Sequence, residues 1–228
     1  MFTAVEIEAL SLSLKVAFWA TLLALPLAIS TAYFLSRRHF RGKFLIETII
    51  HIPLVVPPVV VGYLLLITLA PTSYIGSLLS SAGISPAFKW QGAAIASGVM
   101  AFPLMVRSIR QAFDAEPIHY SETAETLGIP KSTHFWRVSL PLAYQGILSG
   151  TVLGFARAIG EFGATITFAA NIPGLTQTLP LALYSAAQAP GGETPAARLA
   201  LLCLIPALAS LAASEWLSRR MKSKMSSS

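Results

Sequence analysis

Five stretches of the chain, at about residues 10–35, 44–69, 91–106, 142–170 and 196–217, are apolar enough and long enough to cross a bilayer. A hydrocarbon interior offers no water to backbone N–H and C=O groups, so a run of roughly 20 apolar residues is stable there only as a helix, whose hydrogen bonds are internal. The expected class is therefore an all-α integral membrane protein with about five transmembrane helices. Composition agrees, since 54% hydrophobic and 11% charged residues over 228, with a mean hydropathy of +0.67, lie outside the range of an ordinary soluble domain.

The formal charge of +6 and the pI near 9.7 are not a nucleic-acid footprint, because the basic residues sit in short clusters between apolar runs instead of on one aromatic-bearing face. They read as topology. Arg37, Arg38, Arg41 and Lys43 follow the first run, Arg107, Arg110, Lys131 and Arg137 the third, and Arg219, Arg220, Lys222 and Lys224 the fifth, all on one side. The other side holds Lys89 and, at span edges, Lys15 and Arg198. Positive loops stay in the cytoplasm, so the N-terminus is expected outside and the C-terminus inside.

Glu6 and Glu8 before the first run and RRHFRGK after it reverse the polarity of a cleavable signal, so that run is expected to be retained. The single cysteine, Cys203, lies in the last run and supports neither a disulfide nor a Cys-based metal site. Between residues 171 and 195 the stretch TQTLPLALYSAAQ (176–188) is too short to cross but apolar enough to dock, and is expected as a short surface or partly re-entrant helix. Neither an internal repeat nor a linker divides the sequence, which reads as a single membrane domain over residues 1–228.

The polar loop 111–141 between the third and fourth runs contains YSETAETLGIPKSTHFWRVSLPLA (120–143). Tyr120, Ala124 and Leu127 share a helical face, with Glu122, Thr123, Glu125 and Thr126 around the rest, so a short amphipathic helix is expected. Gly128 suits the left-handed position that closes such a helix, and Pro130 stands where a second turn begins. Pro141 falls at the entry to the fourth span. Such a segment is a rigid lever rather than a tether, able to pass a displacement into the membrane.

Glu122-Thr123-Ala124, three residues, Gly128, nine residues, Val138, one residue, then Leu140-Pro141 resembles the EAA motif of binding-protein-dependent ABC importers, with Thr123 and Val138 in place of Ala and Ile. The resemblance implies a cytoplasmic coupling helix that docks on a separate ATPase subunit, in the MetI-like permease fold. Energy has to come from that partner, because the only Gly-Lys pair, Gly42-Lys43, lacks the rest of a phosphate-binding loop. The chain is thus expected not to be an enzyme and to need no cofactor, metal or catalytic residue.

HIPLVVPPVVVGYLLL (51–66) and RAIGEFGATITFAANIPG (157–174) are similar to the corresponding segments of molybdate ABC transporter permeases of the ModB type, and the likeness covers essentially the whole chain. It implies a multi-pass inner-membrane homodimer working with two ATPase subunits and an extracytoplasmic oxyanion-binding protein. Related permeases carry sulfate or tungstate, which stand as alternatives.

Pro53, Pro57 and Pro58 interrupt the second span, either as a packing kink or as a pathway lining. Arg157 and Glu161, four residues apart in the fourth span, read either as a mutually neutralising pair or as charges bordering an anion path. Rows of small residues, Gly146, Gly150 and Gly154 beside Ala156, Gly160 and Ala164, suit close helix approach and a homodimer. Thr165, Thr167 and Asn171 offer polar groups near the outer end, or are spent on helix capping and back-bonding. Glu47 and His51 form a local hydrogen-bonded pair or a proton relay. With Arg157 and Glu161 that relay defines the rival reading, an ion-coupled secondary carrier. An intramembrane enzyme is disfavoured, since the spans hold no paired carboxylates, metal cluster or nucleophile with its base.

Overall fold

The computed structural model describes residues 3–38 and 40–225, and all regular structure among them is helical. The side chains of Arg219, Arg220, Lys222 and Lys224, expected as a cytoplasmic cluster, lie outside the described residues.

Helix α1, Ala4–Arg37, starts at a capping box: the Thr3 hydroxyl accepts from the Glu6 amide at 3.3 Å, and the Glu6 carboxylate accepts from the Thr3 amide at 2.7 Å. Its buried stripe is nearly all small, with Ala17, Ala20, Ala24, Ala28 and Ala32 at helical spacing. Helices α2, Lys43–Val55, and α3, Pro58–Leu69, follow, then a short α4, Tyr74–Ser81, which the sequence reading did not anticipate.

Helix α5, Trp90–Asp114, is the centre of the molecule, with 67% of its apolar window buried against 39% for α1. It packs on α1 along one side and on α9, Tyr144–Ile159, along the other. Apolar burial cannot by itself drive this packing, because lipid tails are as apolar as Leu; close van der Waals approach of small residues does. Gly98 of α5 lies against the Ala20 backbone of α1, and Gly146, Gly150 and Gly154 of α9 lie against Ala112, Ile109 and Met105 of α5. That glycine row is therefore used inside the chain and argues nothing about a second copy.

Between α5 and α9 run α6, Ile118–Thr126, α7, Lys131–His134, a π turn, Phe135–Ser139, and α8, Leu140–Leu142. After α9 come α10, Gly163–Phe168, α11, Leu179–Gln188, and α12, Glu193–Met225. Helix α11 is the expected short docked helix: it packs on α12 and α1, and its Leu179 amide donates to the Ser13 hydroxyl at 2.7 Å.

Three helices are individually long and apolar enough to cross a membrane, Ala4–Arg37, Trp90–Asp114 and Glu193–Ser210, and two further candidates are bent pairs. Stretch 44–69, expected as one span, is α2 and α3 bent by 113°. The physical cause is the adjacent Pro57 and Pro58, which remove two donors and start α3 with a proline at its first position. Stretch 142–170, also expected as one span, stops at Ile159 and resumes as α10, and the lead into α9 from 131–142 is bent by 67°. Helix α5 runs past the expected end at Val106, so Arg107 and Arg110 are helical residues instead of loop residues.

Candidate functional site

Segment 115–143 leaves α5 at Ala115 and enters α6 through Pro117. Ala124 is buried on the inner face of α6 while Glu122, Thr123 and Glu125 are exposed; Tyr120 and Leu127, expected on the same face as Ala124, are exposed as well. The helix closes in a Schellman motif: the Ile129 amide donates to the Ala124 carbonyl at 2.9 Å, and the Gly128 amide donates to Glu125 at 3.0 Å. Gly128 is left-handed, at φ +69°, and nothing lies within 4 Å of where its Cβ would stand, so conformation and not space requires the glycine.

Pro130 opens α7. The helix then widens into the π turn, where the Leu140 amide reaches back to the Phe135 carbonyl. Pro141, with no amide to give Arg137 and a ring that crowds that carbonyl, accounts for the widening. Val138 and Leu140 are half-buried and Pro141 is exposed. Outside the apolar runs the segment shows Ile118 at 71%, Leu127 at 69% and Trp136 at 66% exposure. A groove of about 520 Å³ opens beside them, lined by Tyr120, Leu127, Pro130, Thr133 and Arg137. Exposed apolar side chains rimmed by Glu and Lys beside a groove are what a protein partner covers.

The candidate pathway residues gather around two facing helix breaks. A Cβ on Gly163 would stand 2.7 Å from the Pro58 side chain, and one on Gly62 would stand 2.6 Å from the Ala164 carbonyl, so α3 and α10 approach backbone to backbone. The break after Pro57 thus faces the break at 160–162. Arg157 and Glu161 do pair, with Arg157 Nη1 2.6 Å from Glu161 Oε2. Glu161 is not on a continuous helix, however. It sits in the break, and its Oε1 accepts from the Ala164 amide at 2.8 Å, capping α10 while its other oxygen holds α9.

The Thr165 hydroxyl donates to the Phe162 carbonyl at 2.8 Å and Thr167 to Gly163 at 3.0 Å, so both are spent on back-bonding. Asn171 donates to the Ser185 hydroxyl at 2.8 Å and accepts from the Gln177 amide at 3.0 Å, tying α11 to the chain before it. Glu47 and His51 are joined only through the Glu47 carbonyl, 2.7 Å from His51 Nδ1; the Glu47 carboxylate takes Arg110 at 2.8 Å. A side-chain relay between them is not formed.

Sequence reasoning missed Glu116, a buried carboxylate between Arg37 and His134, and the Glu6–Arg198 pair at 2.8 Å. Partners 79 and 192 residues apart carry no periodic signal.

Among known proteins, the chain is 51% identical over 221 residues, 96% of each chain, to the molybdenum transport system permease protein ModB of Haemophilus influenzae. It is 50% identical over 215 residues, 94% of each, to the protein of the same name from Escherichia coli K12. The sulfate transport system permease protein CysW of Synechococcus elongatus is 34% identical over 174 residues, 76% of this chain and 61% of that one. Residues 24–223 match the family described as binding-protein-dependent transport system inner membrane component, and the chain, a multi-pass protein of the inner membrane, belongs to that family.

Proposed function

We propose that the chain is the membrane-spanning subunit of a molybdate importer, powered by a separate ATPase that docks on α6, the Gly128 turn and α7. The observation that carries the substrate is the identity of about half, over nearly full length, with permeases named for molybdenum transport. The weaker and shorter likeness to a sulfate permease leaves sulfate as the second reading. Support for the docking surface comes from Glu122, Thr123 and Gly128, which are exposed beside the groove, and from the Schellman closure that fixes their direction.

In this reading two copies form the pathway, an extracytoplasmic binding protein delivers the oxyanion, and the ATPase drives the change. A divalent anion is costly to bring into an apolar interior, so a weakly attractive, nearly neutral passage suits transit better than a site. The Arg157–Glu161 pair beside the two breaks has that character, because its charges cancel while its arginine side chain keeps 27% exposure. The test is uptake into liposomes holding the chain with its ATPase and binding protein. ATP-dependent molybdate uptake is expected. Sulfate uptake without molybdate uptake moves the substrate to the second reading, and uptake that needs no ATPase but collapses with the proton gradient replaces the importer with a carrier.

A further inference from the structure

Three side chains from three elements meet where the coupling segment leaves α5. Glu116, two residues past the end of α5, is 1% exposed in its side chain. One carboxylate oxygen accepts from Arg37 Nη2 at the end of α1. The other lies 3.4 Å from His134 Nε2 at the end of α7. His134 Nδ1 in turn lies 3.4 Å from the Ser139 hydroxyl of the π turn, and Ser139 is fully buried. Glu116 Oε1 and His134 Nε2 are both buried without a hydrogen bond, so their approach is close but not aligned as one.

Directly beside this charged layer is an aromatic one drawn from the same three places. Tyr33 of α1 lies 5.3 Å from Phe113 of α5 and 4.6 Å from Phe135 of the π turn, ring centre to ring centre. Tyr33 and Arg37 are one helical turn apart, Phe113 and Glu116 three residues apart, and His134 and Phe135 adjacent. The two layers differ in kind. Aromatic contact tolerates sliding, whereas a buried carboxylate that is drawn away from its cationic partner is left with an uncompensated charge. Lys131 and Glu125, which line a small cavity with Arg37 and His134, are exposed and lie 3.8 Å from each other, and among the described residues Arg37 and His134 are the basic groups within 4 Å of Glu116.

We infer that Glu116 is a positioning residue for coupled transport: its carboxylate ties His134 of the coupling segment to Arg37 of α1, so that displacing the segment moves α1 and α5 with it. The inference rests on the reading of residues 118–142 as the ATPase-facing segment. A joint of this kind is not needed for the ATPase to bind or to hydrolyse ATP. It is needed for hydrolysis to be converted into movement of the membrane helices.

The experiment uses the full complex of chain, ATPase and binding protein in liposomes, and reads ATP hydrolysis and molybdate uptake together. In Glu116→Ala and in His134→Ala, uptake per ATP hydrolysed is expected to fall on the order of tenfold, within the usual range of coupling between sites, while the ATPase stays bound and hydrolysis persists. His134→Gln, which keeps a polar N–H group facing Glu116, is expected to recover most of the loss. If Glu116→Ala does not assemble, the two His134 variants decide, because they keep the Arg37–Glu116 pair. Unchanged uptake per ATP, or uptake and hydrolysis falling in equal proportion with no recovery in His134→Gln, overturns the inference. Failure of the docking reading looks different: the unaltered chain then retains no ATPase at all.

Discussion

At the scale of single residues, Arg157 and Glu161 show how little of a pair's behaviour is carried by its spacing. Four residues apart, they read either as a mutually neutralising pair or as charges bordering an anion path; they do pair, but Glu161 lies in a helix break at 1% side-chain exposure while Arg157 keeps 27%. The consequences of removing either are therefore unequal. Arg157→Gln strands a buried carboxylate and should destabilise the protein by about 3 kcal/mol, the lower end for a broken buried pair. Glu161→Gln keeps the acceptor for the Ala164 amide and leaves a cation that reaches solvent, so its cost should be nearer 1 kcal/mol. The double variant should recover most of the larger loss. Thermal unfolding in detergent checks the order, and two equal single-variant losses would rule out the asymmetric pair.

At the scale of elements, what was legible followed from residues whose effect is local. Gly128 declared a left-handed turn and the 57–58 prolines declared a break. The break at 160–162 escaped notice because no proline marks it and the apolar run continues across it; what ends α9 there is the packing of Gly163 on Pro58 and of Ala164 on Gly62, which are tertiary contacts. The glycine row of α9 was legible as a close-packing stripe, but not its partner. That partner now separates two substitutions. On Gly154 an added methyl meets only the flexible Met105 side chain, at 2.6 Å, whereas on Gly146 it meets Ala112 Cβ at 2.3 Å and the Ser108 carbonyl at 3.1 Å. Gly→Ala gains about 1 kcal/mol of helix propensity in each. Gly154→Ala should therefore be near neutral, and Gly146→Ala should lose about 1–3 kcal/mol to overpacking. Equal melting temperatures for the two variants would count against α5 as the partner of this stripe.

At the scale of the whole molecule, a few long-range contacts fix the relative direction of α1, α5 and α12. Arg37 at the end of α1 meets Glu116 just past the end of α5, and Lys15 of α1 stacks 4.0 Å over Trp90 at the start of α5, so α1 and α5 run parallel. Glu6 near the start of α1 meets Arg198 near the start of α12, and further along Phe18 and Leu22 of α1 line one cavity with Ala209 and Ser210 of α12, so α12 runs parallel to both. A chain that makes three parallel crossings has to return twice between them. The returns fall in 38–89 and 115–192, and in each the apolar structure long enough to cross is a bent helix pair, Lys43–Val55 with Pro58–Leu69 and Lys131–Leu142 with Tyr144–Ile159. The 113° bend is thus compatible with a net crossing by α2 and α3, because Gly42 and the start of α5 have to lie at opposite ends of α1. Because Arg38, Arg41 and Arg107 lie at the end that carries residues 115–143, we propose from the positive-inside rule that this end faces the cytoplasm. Reporter fusions after Arg41 and after Lys222 should then read inside, and fusions after Gly83 and after Gly191 outside. The Gly83 fusion is the decisive one. If it reads inside together with Arg41, α2 and α3 form a re-entrant loop, the parallel arrangement of α1 and α5 fails, and the ion pair between Arg37 and Glu116 cannot exist as described.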